Sequence, residues 1–171
     1  QMIDRGVASD GTRPAGTAYL VSTTDKKRNV RSRVYELVQR LYAKRINIEI
    51  VHNDRLNDRD DVLFYFTGLK HVDAIETNGF LPGAIADHLT SAGGRLFVSK
   101  QMDILKWLDA GATASYGTVV EPCSFPQKFP DPLVVIKRYT SGESLLEAYW
   151  KSVAWPGQGI FVGEPMATPF T

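Results

Sequence analysis

The chain contains a single cysteine and no long apolar run. The lone Cys123 excludes an internal disulfide and a zinc site built from several cysteines. The longest apolar runs, such as 62–66 and 133–136, are far shorter than the roughly 20 residues that a membrane-spanning helix needs. We therefore expect no membrane span, and any chemistry must use other side chains or this one thiol.

The chain also lacks an excess of either charge. It has 20 Lys and Arg against 19 Asp and Glu, a net charge of +1, so no global field attracts nucleic acid or another polyanion. The glycine pairs at 93–94 and 157–159 are too short, and wrongly placed between predicted elements, to bind phosphate. No metal-ligand spacing is present. We expect no nucleic-acid partner, no metal and no cofactor.

The length of 171 residues suits one domain with one hydrophobic core, which at this size buries roughly 70% of the unfolded chain's surface. We predict a single α/β domain over 1–171. The chain begins at Gln1 without an initiator methionine, and residues 2–7 read like the end of a helix that began earlier. We interpret the chain as the C-terminal part, or a mature fragment, of a longer protein.

Apolar, β-branched segments alternate along the chain with segments of helical periodicity. The predicted strands are 17–22, 46–51, 62–68, 95–98, 112–117 and 159–163. The predicted helices are 25–44, 81–92, 101–110, 133–139 and 143–153. This alternation is typical of a three-layer αβα fold with a mainly parallel sheet. Within that sheet we expect the strands at 62–67 and 112–116 to be neighbours.

Ligands of such sheets bind beyond the carboxyl ends of the strands. This rule selects the loops at 68–73, 99–101 and 117–125. The candidate binding residues are therefore Gly68, Ser99, Gln101 and Gly117.

Three titratable residues in these loops are candidates for catalysis. His71 follows a strand end, where its side chain would suit a general base, although a solvated loop histidine is the alternative. Cys123 is a candidate nucleophile, and a buried inert thiol is the alternative. Glu121 would serve as an acid or base, or as a capping group beside Pro122.

Two further groups favour structural interpretations. His88 and Ser91 lie in the last turn of the predicted helix 81–92, where we expect them to cap its end. The aromatic residues of the C-terminal third offer either an apolar cluster beneath the last strand or an aromatic recognition surface. They are Phe125, Phe129, Trp150 and Trp155.

Two glycines bracket the predicted strand 112–117 for different reasons. Gly111 follows a predicted helix, so we expect a left-handed conformation and a loss of stability on substitution. Gly117 ends the strand, so we expect it to admit a ligand, or the loop that leads to Cys123, close to the backbone. Substitution of Gly117 is then expected to weaken binding with little change in melting temperature.

Four segments resemble a secreted bacterial family found in genomes that carry the exosortase sorting system. They read FYFTG at 64–68, LPGAIADHLTSAGG at 81–94, WLDAGATASYGTVVEPC at 107–123 and AYWKSVAWPGQ at 148–158. Members of that family are longer at the N-terminus. The resemblance implies an extracytoplasmic protein, secreted or at the cell surface.

That family is in turn distantly similar to the gingipain-type, caspase-like cysteine peptidases. The shared order is an apolar strand that ends in Thr-Gly, a helix, a second strand, a helix and a Gly-Ala strand, and Gly163-Glu164-Pro165 is similar to their closing turn. The resemblance implies a caspase/gingipain-like fold. In those peptidases a histidine directly follows Thr-Gly, and the nucleophilic cysteine follows the second strand.

Here the histidine comes late, as His71, and the expected second strand end at 98–101 has no cysteine. The leading hypothesis is therefore an exported domain without the usual dyad, which binds or scaffolds a protein or polymer partner. One alternative is a hydrolase with a relocated Cys123–His71 site. Another is a self-assembling structural subunit, a homo-oligomer built through the apolar segments 125–132 and 166–170.

Overall fold

A computed structural model describes residues 2–123 and 125–171 as alternating helices and strands. The strands are β1 Thr17–Ser22, β2 Asn47–His52, β3 Val62–Thr67, β4 Phe80–His88, β5 Ala114–Thr118 and β6 Gly159–Gly163. The α-helices are α1 Met2–Val7, α2 Tyr35–Tyr42, α3 Leu105–Ala110, α4 Pro132–Tyr139 and α5 Leu145–Ser152. Short 3-10 helices lie at Asn29–Val34, Ile75–Thr77, Pro126–Lys128 and Pro156–Gln158.

The strands form one six-stranded sheet in the order β2-β1-β3-β4-β5-β6. All neighbouring pairs are parallel except β5 and β6, which are antiparallel. Every residue of β3 is buried, as expected for a central strand, and β2 lies at one edge. The predicted mainly parallel α/β sheet is confirmed.

Helices cover both faces of the sheet because successive strand residues point to opposite sides. Leu20 and Phe66 belong to one apolar cluster, which they share with residues of α2, α4 and α5. Val21 and Tyr65 belong to a second cluster, which they share with Trp107 of α3. The sheet is therefore the middle of three layers.

The predicted helix 81–92 is wrong, because residues 80–88 form strand β4 between β3 and β5. Leu81, Ile85 and Leu89 are four residues apart, and this spacing places residues on one face of a strand as well as on one face of a helix. Pro82 is tolerated near the strand start, where Gly83 has a positive φ of 84° and the register with β3 shifts.

The predicted strand 95–98 is also wrong, because these residues form a turn in which Phe97 and Val98 are exposed. β4 takes its place in the sheet. The expectation that the strands at 62–67 and 112–116 are neighbours is also wrong, because β4 lies between them.

The remaining helices are shorter than predicted or match closely. The region 25–44 contains the 3-10 helix Asn29–Val34 and then α2, and 101–110 contains only α3. α5 begins with a capping box in which the Ser144 hydroxyl accepts from the Glu147 N–H and the Glu147 carboxylate accepts from the Ser144 N–H. Across residues 2–123 and 125–171, no helix combines the length and apolar character needed to cross a bilayer.

Candidate functional site

The carboxyl ends of β3, β4 and β5 lie side by side at one edge of the sheet. Backbone hydrogen bonds join the loops that follow them: the Leu89 N–H donates to the Thr67 carbonyl at 2.9 Å, and the Gly94 N–H donates to the Thr118 carbonyl at 2.9 Å. Ligands of parallel α/β sheets bind at this edge. It is therefore the candidate functional site, and we call it the carboxyl edge.

A relay of hydrogen bonds crosses the carboxyl edge from Arg28 to Glu121. Arg28 Nε donates to Thr90 Oγ1 at 3.1 Å, and the Thr90 hydroxyl donates to Gln101 Oε1 at 2.7 Å. Gln101 Nε2 donates to Ser91 Oγ at 3.0 Å, and the Ser91 hydroxyl donates to Glu121 Oε1. Thr90 and Ser91 are buried whereas Glu121 is exposed, so the relay connects the protein interior with solvent.

A buried ion pair lies on one face of the sheet beside this edge. Arg31 Nη2 is 2.6 Å from Asp87 Oδ1, and it also donates to the Thr67 carbonyl at 2.8 Å. Burial opposes the charge on Arg31, but the neighbouring groups, with the Asp87 carboxylate first among them, together outweigh burial and raise the pKa of the guanidinium above its ordinary value. A second Arg31 nitrogen donates to the Pro130 carbonyl at 3.2 Å. The pair therefore fastens the 3-10 helix and the 126–132 loop to the ends of β3 and β4.

His88 points to the opposite face, because neighbouring residues of a strand alternate in direction. Trp107 Nε1 donates to His88 Nδ1 at 2.9 Å, so the proton is on Nε2, which lies 3.0 Å from the Met102 carbonyl oxygen. Burial lowers the pKa of His88 from 6.5 to about 3. Both ring nitrogens are engaged, so His88 is a structural residue inside a strand end, and the predicted role as a helix cap is wrong.

The structure does not bring His71 and Cys123 into hydrogen-bond contact within the described residues. His71 lies in the exposed loop after β3. Cys123 is buried and packs with Leu89 and Phe129. No contact between the two side chains supports the Cys123–His71 site, which stays a prediction.

Lys128 fastens the loop that carries Cys123. Its ammonium donates to the Val120 carbonyl and, at 2.9 Å, to the Pro122 carbonyl. Burial lowers the pKa of Lys128 below its ordinary value, and the charges of Glu121 and Cys123 oppose this shift. Sequence reasoning placed only Glu121 near the thiol and missed this cation.

Of the other predicted site residues, two belong to the relay and two do not. Gln101 and Glu121 both belong to the relay. Ser99 does not follow a strand, and its hydroxyl oxygen accepts from the Gln101 backbone N–H at 2.9 Å. At Gly68 a Cβ would overlap the Arg28 carbonyl, so the glycine admits the chain that carries Arg28.

Gly117 admits a loop rather than a ligand. A Cβ at this position would lie 2.6 Å from the Gly94 nitrogen and 2.6 Å from Ile104 Cγ2. The close approach that the sequence predicted is therefore present, but the approaching atoms belong to the loop after β4. We therefore expect substitution of Gly117 to lower stability, in place of the small change in melting temperature predicted from the sequence.

Sequence reasoning missed Arg28, Thr90 and Ser91 as site residues. The Thr90-Ser91 pair was visible as two adjacent hydroxyls, but the helix assigned to 81–92 removed it from any strand end. Arg28 lies in the predicted helix 25–44 and follows no predicted strand. No sequence signal pointed to its contact with Thr90, which lies 62 residues away.

A groove of about 460 Å³ opens beside the ion pair, between the 3-10 helix 29–34, the 126–132 loop and the ends of α4 and α5. Its lining is mainly apolar and includes Val30, Val34, Phe129, Pro130, Pro132 and Val134. Close to it, the rings of Phe125 and Trp155 are 5.8 Å apart and both are partly exposed. Trp150 on α5 is also 46% exposed, so of these four aromatic side chains only Phe129 is buried.

Within the part of the chain that the structure describes, no group of three or more His, Cys, Asp or Glu side chains is arranged to hold a metal ion.

Comparisons with known proteins do not assign the chain to a family. The chain matches no model of a protein family. No curated protein and no solved structure matches it either.

Proposed function

We propose that the chain is an exported caspase/gingipain-like domain that binds a protein or polymer partner and does not cleave peptides. Its export, and its service to a surface-protein or extracellular-polymer system, follow from the sequence resemblance described above. The carboxyl edge is the proposed binding site.

The sheet is compatible with the caspase/gingipain-like part of this proposal. Two parallel strands, β3 and β4, end side by side, and β3 ends in Thr67-Gly68. The second strand of the resembled peptidases then corresponds to β4. Its end carries Leu89, Thr90 and Ser91, where those peptidases carry the cysteine nucleophile.

One observation carries the proposal of binding without cleavage. The two hydroxyls at the end of β4, Thr90 and Ser91, are held in the relay by Gln101 and Glu121, and the relay contains neither a thiol nor an imidazole. A cysteine peptidase needs a thiolate within hydrogen-bond reach of an imidazole. The groups that the edge does present are amide, hydroxyl, carboxylate and guanidinium, which suit recognition.

Peptidase activity is tested with the purified chain and unfolded protein substrates at neutral pH. We expect no cleavage and slow alkylation of Cys123 by iodoacetamide, because the thiol is buried; denaturant should make alkylation fast. Rapid alkylation of the folded chain, together with cleavage that is lost in Cys123→Ser and in His71→Ala, would overturn the proposal in favour of the relocated hydrolase.

Partner binding is tested with a photo-crosslinking residue at Phe97, which is exposed next to the carboxyl edge. The matched control carries the same residue at Leu41, exposed on α2. Mixed with an envelope fraction, the Phe97 variant should form one defined product with a surface protein or polymer. Equal labelling from both positions, or none from either, would contradict binding at this edge.

A further inference from the structure

The side-chain amide of Gln101 fills a pocket of hydrogen-bond donors at the end of β4. Its Oε1 accepts from the Thr90 hydroxyl at 2.7 Å and from the Ala92 N–H at 2.8 Å. Its Nε2 points the other way, to Ser91 Oγ at 3.0 Å, and lies 3.5 Å from Glu121 Oε1. The reversed amide would set its NH₂ group against the Ala92 N–H, so the pocket accepts a carboxamide in one orientation only.

Thr90, which forms one wall of this pocket, is held in place by contacts that do not involve Gln101. The Thr118 hydroxyl donates to the Thr90 carbonyl at 2.9 Å, which ties the pocket to β5. Arg28 donates to the Thr90 hydroxyl and is itself held by Asp25 at 2.8 Å. The Thr90 donor is therefore held in place independently of the amide.

Gln101, in contrast, comes from a segment with few apolar contacts, residues 95–101, which we call the edge loop. Phe97 and Val98 at its tip are each 82% exposed. Phe97 has a φ of 65°, in the left-handed region that residues other than glycine rarely adopt. Exposed apolar side chains in a strained turn are typical of a segment that meets a partner.

We propose that the pocket is a carboxamide-binding site for a glutamine or asparagine side chain of a partner protein, and that Gln101 is its internal occupant. The carbonyl oxygen of the bound amide takes the hydrogen bonds from Thr90 and Ala92. Its NH₂ group faces Ser91 and Glu121. The carboxylate of Glu121 disfavours an acidic side chain in the same place, because like charges repel. This inference rests on the proposed binding function and names what the carboxyl edge recognises.

Binding exchanges one amide for another. The partner's amide makes the same hydrogen bonds that Gln101 gives up, so the polar terms nearly cancel. The net gain comes from the edge loop, whose Phe97 and Val98 contact the partner once the loop is displaced. In the free protein, Gln101 acts as a competitor that weakens carboxamide binding.

The test compares the wild-type chain with Gln101→Ala by NMR titration. The probe is N-acetylglutamine methylamide, whose side chain ends in a free carboxamide. We expect the variant to bind the probe at least tenfold more tightly than the wild type, with the largest shift at the Ala92 amide. N-acetylglutamate methylamide, the anionic analogue, should bind the variant at least tenfold more weakly than the amide does.

Two further variants control this test. Gln127→Ala removes an exposed glutamine outside the pocket and should bind the probe as the wild type does. Adding Thr90→Val to Gln101→Ala removes one donor at nearly constant volume and should abolish binding. A folded Gln101→Ala variant that binds the amide no better than the wild type, or binds the carboxylate equally well, would overturn the carboxamide site. Crosslinking at Phe97 would still report on the proposed function by itself.

Discussion

At the scale of single residues, the buried imidazole of His88 makes folding depend on pH. The folded protein holds this ring neutral, with a pKa of about 3, because burial removes it from water, and the hydrogen bond to the Met102 carbonyl opposes this shift only in part. In the unfolded chain the ring has an ordinary pKa of about 6.5. The unfolded state therefore takes up a proton first as the pH falls.

The sign of the effect follows from this difference. The stability contributed by neutral His88 is fully present above pH 6.5 and is lost as the pH falls toward 3. The loss is about 1.4 kcal/mol for each pH unit below the unfolded pKa. We expect His88→Gln, which cannot titrate, to lower stability at pH 7 but to remove about 3 kcal/mol of the decline between about pH 6.5 and pH 4. Urea unfolding at several pH values measures both terms.

His52→Gln is the matched control, because His52 is exposed at the end of β2. Its stability should follow the wild-type pH dependence. If His88→Gln and the wild type lose stability in parallel over this range, the buried imidazole is not the group responsible.

At the scale of secondary-structure elements, predicting a helix in place of β4 misplaced part of the candidate site. Leu81, Ile85 and Leu89 fit both a helix and a strand, and the context that decides is nonlocal: β4 lies between β3 and β5 and pairs with both. Because residues 81–92 were predicted to be a helix, Thr90 and Ser91 did not follow a predicted strand. Ser99 followed the predicted strand 95–98 and was selected instead. Glu121 was found because it follows β5, which the sequence predicted correctly. Gln101 was selected from the end of the wrong strand 95–98, and it belongs to the relay from a loop instead.

The contact between the loop after β4 and strand β5 has a measurable consequence. Because a Cβ at Gly117 would meet the Gly94 backbone and Ile104 at 2.6 Å, Gly117→Ala must displace backbone atoms. We expect it to destabilise the protein by about 1–3 kcal/mol, the usual cost of overpacking. Thermal and urea unfolding would measure the change.

Substitutions at two other glycines serve as references for the stability of Gly117→Ala. At Gly157 no atom lies within 4 Å of the position that an added methyl group would take, so Gly157→Ala should change stability by less than about 0.5 kcal/mol. Gly111 has a φ of +120°, which agrees with the expected positive φ after the helix, so Gly111→Ala should cost about 1 kcal/mol through backbone strain alone. A Gly117→Ala variant as stable as Gly157→Ala would show that the loop after β4 yields easily.

At the scale of the whole molecule, elements with a clear local hydrophobic pattern could be predicted from the sequence. Contacts between segments that are distant in the chain could not. The apolar run of β3 and the amphipathic pattern of α5 identified both elements, since burial on two faces and on one face leave different periodicities. The ion pair between Arg31 and Asp87, which are far apart in the chain, left no local trace. The same holds for the relay, whose side chains come from separate loops and strand ends.

Association of the isolated chain depends on which apolar side chains the fold leaves exposed. Segments 125–132 and 166–170 suggested self-assembly, but Phe129 and Ala167 are buried, and the Phe170 ring packs 5.6 Å from that of Tyr139. The apolar side chains that stay exposed, which include Phe125 and Met166 of these segments, belong to several separate segments of the chain. A stable dimer needs about 800 Å² of contiguous surface on each partner. We expect light scattering at micromolar concentration to give the monomer mass of 19.0 kDa, even though a net charge of +1 does not oppose association. A dimer mass that returns to the monomer value in Trp150→Ser, with Phe97→Ser as the comparison variant, would favour the self-assembling subunit and place its interface on α5.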